Sequence, residues 1–310
     1  MQLLSHRERF SPLLPTLQTR VNSSSLGPFK QCPRKYQYSI LWGLRSKGPL
    51  SIDLTFGTLI HRGIELYDRL RLAGTEHEPA LLDVVAWGLR ETWNFTLRRP
   101  MTFDHTMKNR EGLLRTLVLY LDKYGENDPL TTHILPNGTP GLELSFEFDS
   151  GYRASTGERI SFIGRLDKLV EFNQGIYIKD VKTTKSGLGS RYFERYSPDN
   201  QFSLYPLGGR IAFGIPIKGI IADAVQVGVS FSSFERAMVP RSEESLQEWL
   251  EDAQWWLGLM DECAQRDYWP QNDKSCGLYG GCEFREICAM GPGSRATWLE
   301  RNFVVRGDDE

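Results

Sequence analysis

From residue 141 to residue 184 apolar side chains alternate with polar ones or run almost unbroken in short stretches, a pattern that predicts strands. Gly141-Leu-Glu-Leu-Ser-Phe-Glu-Phe148 alternates, Phe162 to Phe172 is apolar-rich, and Gly175 to Thr184 reads as a third strand. The link Asn173-Gln174-Gly175 is short enough to close a hairpin between the last two. Elsewhere the period is helical. Leu113, Leu117, Tyr120 and Leu121 share a face, residues 56 to about 125 are expected to be helical, and Phe56 to Arg71 is a helix within them. Pro129, Pro136 and Pro140 with two glycines mark Asp128 to Gly141 as a connector. A helix after Pro198 carries Gln201 and Tyr205 four residues apart, and Pro206 is expected to shorten or kink it. The sheet region, residues 142–240, ends in a predicted strand from Val225 to Phe231. Ser242 with Glu243 and Glu244 then starts a helix running to about Arg266.

These elements predict an α/β fold: a mixed central sheet flanked by helices, with a helical insertion and a C-terminal segment that carries cysteines. Residues 1–22 are expected to form an arm, and residues 23–310 a single domain.

At 310 residues, 40% hydrophobic and 25% charged, the chain has room for a substantial core and the composition of an ordinary soluble protein. No apolar run reaches the roughly 18 residues that span a membrane, and no signal peptide opens the chain, so a cytoplasmic location is expected. No Walker-type phosphate loop is present, which excludes an ATP motor in this chain. A formal charge of -2 gives no global nucleic-acid signature. Local basic segments at Arg34-Lys35, Arg45 to Lys47, Arg98-Arg99 and Lys108 to Arg110 leave room for weak, salt-sensitive contact with phosphates.

The chemistry concentrates in the predicted hairpin. Asp180 and Lys182 point to the same side of an otherwise apolar strand, where an unpaired buried charge costs several kcal/mol. Asp167 lies on the preceding strand, and the hairpin brings it towards Asp180. Two carboxylates near 4 Å repel by roughly 1 to 4 kcal/mol at surface-like dielectrics. Two readings fit those residues alone: a hairpin salt-bridged through Lys182 or Arg165, or a site in which a divalent cation turns repulsion into attraction.

Five cysteines stand at Cys32, Cys263, Cys276, Cys282 and Cys288. A cytosolic setting disfavours disulfides, so the C-x5-C-x5-C run at 276–288, flanked by Gly277, Gly280 and Gly281, reads as a set of thiolate ligands. Four thiolates suit zinc as well as an iron-sulfur cluster. Cys263, near Trp255, Trp256 and Met260, reads as a small buried hydrophobe.

In order along the chain, these residues resemble the RecB-like branch of the PD-(D/E)xK nuclease superfamily. Ser23-Ser-Ser-Leu26 with Cys32-Pro-Arg-Lys-Tyr36 is similar to its opening segment, and Phe56-Gly-Thr-Leu-Ile-His61 to its metal-ligand helix. Gly164-Arg-Leu-Asp167 resembles the second acidic motif, Ile178-Lys-Asp-Val-Lys-Thr-Thr184 the D-x-K strand, and Gln201-Phe-Ser-Leu-Tyr205 the Q-x-x-x-Y helix. The resemblance implies that His61, Asp167, Asp180 and the Val181 carbonyl bind Mg2+ or Mn2+, with Lys182 acting on the attacking water. Glu143 matches a variable first acidic position, with Glu147 its same-face competitor. Glu65 is read either as a partner of the imidazole or as part of a solvated helix face. Gln201, Tyr205, Arg34 and Lys35 are the expected DNA contacts. Cys32, Cys276, Cys282 and Cys288 are implied ligands of a 4Fe-4S cluster, although the first C-terminal interval is longer than the family's usual one.

The function so implied is a metal-dependent exonuclease on DNA ends, with a preference for single strands, serving replication, recombination or repair. A helicase or recombination protein is the expected partner, no membrane is involved, and a nucleoid location or a viral or mobile-element origin fits. Two alternatives stay open. One is a catalytically silent DNA-binding or scaffold subunit of a nuclease or CRISPR adaptation complex, and the other is a zinc-stapled binding module.

Overall fold

The computed structural model describes residues 7–48, 52–101, 103 and 105–305. A seven-stranded mixed sheet organises them. Its strands are β1 (Arg20–Val21), β2 (Thr131–Thr132), β3 (Leu142–Arg153), β4 (Arg159–Phe172), β5 (Gly175–Thr184), β6 (Ile217–Val227) and β7 (Ser232–Pro240). The principal helices are α1 (Ser23–Gln31), α2 (Ile52–Leu72), α3 (His77–Glu91), α4 (Arg110–Tyr124), α5 (Asn200–Phe213) and α6 (Glu243–Arg266). β4 pairs in parallel with β1 and antiparallel with β2, β3 and β5. β5 and β6 are parallel, and β7 returns antiparallel to β6. Parallel neighbours need a crossover, which α5 supplies. The hairpin turn holds Asn173 at φ 43 and Gln174 at φ 57, the left-handed pair that a two-residue turn with the twist of its strands requires.

The sheet has an apolar layer on each face. α5 and α6 cover one face over Phe146, Phe162, Leu166, Ile178 and Phe202, while α2, α3 and α4 cover the other over Phe56, Ile60, Leu113, Leu117, Val181 and Val225. Close approach of α5 depends on glycine. A Cβ on Gly208 would stand 2.2 Å from the Phe146 ring, and one on Gly164 of β4 would stand 2.3 Å from it. Phe146 is 1% exposed and cannot withdraw into solvent, so overpacking here should be expensive. Gly208→Ala is expected to destabilise the protein by about 3 kcal/mol, at the upper end for an added core carbon, and denaturant unfolding measures it. An unchanged midpoint would mean that the ring has room to move.

Several sequence expectations are corrected by packing. Residues 1–22 are not a free arm in the part described: Leu17 and Val21 are fully buried in the core and β1 joins β4, while residues 1–6 lie outside the described residues. The strand expected at 225–231 runs instead from Ile217 to Val227, and the chain turns at 228–231 before β7. The region 56–125 is interrupted by a two-strand ribbon, Trp93–Asn94 against Arg99–Pro100. Pro206 does not end α5, which continues to Phe213 because Phe202, Leu204, Gly208 and Gly209 remain buried on either side of it. Cys263 is only half-buried, its helix lying at the edge of the core.

Candidate active site

The β4–β5 ladder stops at Lys168 opposite Lys179, whereas β5 keeps its pairing with β6 as far as Thr184. The sheet therefore forks just beyond the hairpin. Asp167 stands at the fork, where its Oδ2 accepts the Val181 N–H at 3.4 Å, a donor freed by the parting of the strands. Asp180 is the neighbouring residue on β5 and is 1% exposed.

Asp180, Lys182 and Gln201 form a closed triangle. Lys182 Nζ lies 2.8 Å from Asp180 Oδ2 and donates to Gln201 Oε1 at 3.0 Å, while Gln201 Nε2 donates to Asp180 Oδ1 at 3.0 Å. An ammonium only donates and a carboxylate only accepts, so the two neighbours dictate how the Gln201 amide is turned. α5 delivers this amide because Asp199 caps its first turn, accepting from Phe202 N at 2.9 Å. Asp180 Oδ2 is buried without a well-directed hydrogen bond even though the ammonium is close. An orphaned carboxylate oxygen of this kind suits a cation.

On the other side of the fork, α2 supplies His61, whose Nδ1 lies 3.2 Å from Asp167 Oδ2. α2 can lie this close to β5 because Gly57 faces Thr183, whose Oγ1 would be 3.3 Å from an added Cβ. Burial pushes the Asp180 carboxyl up to about 6, and the Asp167 charge adds to it, against the opposing pull of Lys182. Burial also works against ionised Asp167, but the hydrogen bond and charge of His61 outweigh it and hold that carboxyl below the usual range. Burial disfavours the charged forms of His61 and Lys182, yet Asp167 raises the first and Asp180 raises the second.

Glu143 borders this group. It has φ 52 on β3, a strained position for a residue other than glycine, and contacts Arg165 on β4. Burial, with the charges of Asp167 and Glu65, pushes its carboxyl up to about 7 against the pull of Arg165. Tyr205 packs edge-on against Phe146 at 5.9 Å, and burial followed by the Asp180 charge pushes its phenol up to about 12. The structure thus brings together His61, Asp167, Asp180, Val181, Lys182, Gln201, Tyr205 and Glu143.

Other expected residues lie elsewhere. Glu147 pairs with Arg20 at 3.1 Å, and Glu65 is held by Arg69 one turn along α2, so Asp167 and not Glu65 is the imidazole's partner. Arg34 donates to the Trp269 carbonyl and to Gln271, each at 3.1 Å, and Lys35 donates to Gln31 at 2.8 Å. Arg34 thus fastens the start of the chain to its C-terminal segment, while Lys35 is tied to the preceding helix turn. Cys32 is buried there, and Cys276, Cys282 and Cys288 are half-buried. Burial raises the Cys282 and Cys288 thiols, and each is raised further by Cys32 and by another thiol of the set. Among the described residues no group of three or more His, Cys, Asp or Glu side chains is drawn together closely enough to hold a metal ion. At the fork Asp167 is paired with His61 and Asp180 with Lys182.

A buried network behind the site went unread in the sequence. Lys179, on the opposite face of β5 from Asp180, donates to Tyr120 Oη at 3.2 Å, and Arg236 binds Asp223 at 3.0 Å and Asp128 at 2.6 Å. Asp223 is fully buried on the apolar strand β6. An acid in such a strand is the signal that marked Asp180, and it could have marked Asp223 too.

The chain belongs to the PD-(D/E)XK nuclease superfamily, whose family model matches residues 20–289. Members of that superfamily are nucleases that generally use divalent metals. A crystal structure from Eubacterium rectale, provisionally described as an exonuclease, is similar with a TM-score of 0.52 and 13% identity, covering 92% of this chain and 93% of that one. At that identity the likeness speaks for the fold alone. A second solved structure, of the protein SSO0001, has a TM-score of 0.33 and 12% identity over 89% of this chain and 86% of that one, and carries no argument. No curated protein sequence matches the chain. Among the described residues no helix is long and apolar enough to cross a membrane.

Proposed function

We propose that this protein is a RecB-like, divalent-metal-dependent deoxyribonuclease that degrades DNA from its ends. The observation that carries the reading is the fork, which sets the Asp167–His61 pair on one side and the Asp180–Lys182–Gln201 triangle on the other. The donor set fits a hard cation: two carboxylates, an imidazole and the Val181 carbonyl, with one buried carboxylate oxygen lacking a directed partner. A divalent cation held by these groups would supply Lewis acidity towards the scissile phosphate and towards a water. The chain's own part is to hold Asp167 ionised and to place an ammonium beside Asp180. Asp180 and Gln201 fix Lys182 and leave one ammonium proton for the substrate, where it stabilises charge building on the phosphate. Glu143 is a further acid of the site. Incubating end-labelled single- and double-stranded DNA with the protein, with and without Mg2+ or Mn2+, tests the reading. Metal-dependent release of short products from ends supports it, and intact DNA under all conditions refutes it.

Lys182→Met is expected to lower turnover by about 10²- to 10³-fold, the range for losing one preorganised donor, while Mn2+ affinity measured by calorimetry stays within a few-fold. Metal affinity falling in step with the rate would contradict the role given to Lys182.

Metal binding should depend on pH in a definite direction. Asp180 and His61 both bind protons more tightly folded than unfolded, so their contribution to stability is complete at low pH. It is lost as pH rises through about 6 for Asp180 and through the raised value of His61. Asp167, with its depressed value, acts in the opposite sense and only in acid. A cation needs Asp180 ionised and His61 neutral, so it should restore at alkaline pH what deprotonation removes. The rise in melting temperature caused by Mn2+ is expected to be larger at about pH 8 than at about pH 6. Equal increments at the two pH values would dissociate His61 and Asp180 from the metal.

We also assign a 4Fe-4S cluster to Cys32, Cys276, Cys282 and Cys288. The support is that the thiols of Cys282 and Cys288 are each influenced by others of the set, in a segment already fastened to the start of the chain. Such a cluster supplies a covalent staple between the chain ends.

A further inference from the structure

We infer that Arg165 is a phosphate-binding residue for the DNA strand, aimed by Glu143, in the site assigned above; this rests on the nuclease reading. On β4, Gly164 lies against Phe146 and Tyr205, and Leu166 lies beside Gly209 of α5. Strand alternation then turns Arg165 and Asp167 to the opposite side, with their Cα atoms about 7 Å apart along the strand. Asp167 reaches His61 of α2 on that side. Arg165 therefore stands two residues from Asp167, on the same side of the sheet as His61.

Its bonding separates it from the neighbouring arginines. Arg236 is closed on two buried aspartates, and Arg69 is closed on Glu65 within its own helix. Arg165 contacts Glu143 through Nε, its side chain is 44% exposed, and that of Glu143 is 16% exposed. Among the described residues this is its one partner, so both terminal amino groups remain available in water. A guanidinium held at Nε by a fixed acid presents its Nη pair as a fork, and a phosphate takes both hydrogens without breaking the first contact. Glu143 is rigid enough for this task, being mostly buried and locked at φ 52. Neutralising Glu143 alone would not require the outer half of the Arg165 guanidinium to remain free.

The test compares Arg165→Met, Arg165→Lys and Glu143→Gln with the unaltered protein in three measurements. These are DNA cleavage as a function of salt, Mn2+ binding by calorimetry without DNA, and thermal unfolding. For Arg165→Met the expected result is a rise in KM for DNA of about tenfold, and a salt dependence of log kcat/KM shallower by about 0.7 to 0.9, the loss of one phosphate contact. Mn2+ affinity should hold. Arg165→Lys should recover the salt slope and only part of the KM, since it restores charge without the fork. Glu143→Gln should raise KM with the slope retained. An unchanged salt slope in Arg165→Met, with Mn2+ affinity falling alongside the rate, would overturn the assignment and leave Arg165 as a counter-ion. Failure of the unaltered protein to cleave DNA would instead remove the nuclease reading beneath it. If Arg165→Met unfolds early, Arg165→Lys carries the decision, because a counter-ion role predicts full recovery of KM.

Discussion

Replacing Asp180 by alanine is expected to lower DNA cleavage by at least about 10³-fold while the protein stays folded. The effect is large because in the proposed site one carboxylate has three tasks: it would offer a metal-ligand oxygen, and it sets the position of Lys182 and receives the Gln201 amide. Losing the cation alone removes several kcal/mol of charge stabilisation, and about 4 kcal/mol corresponds to 10³ in rate. The fold should tolerate the change. Ionised Asp180 is itself unfavourable where it lies, since its folded value near 6 means that protonation, and not ionisation, favours the native state. Its loss leaves Lys182 with Asp167 as the remaining nearby acid and with Gln201 as an acceptor. Asp180→Asn, which keeps the shape and an acceptor for Gln201, should be as inactive and at least as stable as Asp180→Ala. Parental cleavage rates in either purified variant would show that the chemistry lies elsewhere in the chain.

The hairpin and its two aspartates were legible in the sequence because both rest on a local rule. Alternation fixes which way Asp180 and Lys182 point, and a two-residue turn fixes which residues face each other. The helix bearing Gln201 was legible for the same reason, and so was the Ser242 cap, whose side chain accepts from Ser245 N at 3.1 Å. β6 was less legible. It is buried on both faces from Gly219 to Val225, so it carries no period of two, and its true start at Ile217 has no polar boundary to mark it.

What remained hidden depends on register between distant segments. Glu143 meets Arg165 only because β3 and β4 pair with Leu144 opposite Leu166, and its left-handed backbone follows from that local fit. Lys179 finds Tyr120 and Arg236 finds Asp128 from helices and strands between 59 and 108 residues apart, and no spacing rule spans those intervals. The same holds for Arg34. As part of a short basic pair it suggested a phosphate contact, but the folded chain uses it to bind the Trp269 carbonyl. Charge read along a sequence says what a side chain is able to bind, and only packing says what occupies it.

Changing Cys282 or Cys288 to serine is expected to remove iron and inorganic sulfide from protein purified without oxygen, and to turn a brown preparation colourless. The structural consequence should be uneven along the chain. Near Cys32 the start of the chain has other fastenings: Tyr36 and Trp269 have ring centroids 5.4 Å apart, and Asn272 and Ser275 both donate to the Gln31 carbonyl, at 2.9 Å and 2.7 Å. The segment from Cys276 to Cys288 has a smaller core: among the described residues Phe284 and Ile287 are buried there, alongside Tyr38 and Phe303. A cluster joining Cys32 to Cys276 closes a loop of 244 residues, which in the chain-entropy model for a single cross-link is worth about 5 kcal/mol. Removing it should therefore release the C-terminal segment first. Limited proteolysis should cut between residues 276 and 291 well before it cuts within α1, and the proposed site, held by the sheet, α2 and α5, should lose activity only as the protein unfolds. Simultaneous cutting at both ends would mean that the cluster and not the aromatic packing holds the opening segment. Zinc in place of iron, in protein never exposed to air, would defeat the cluster assignment and leave a four-thiolate staple with the same mechanical role.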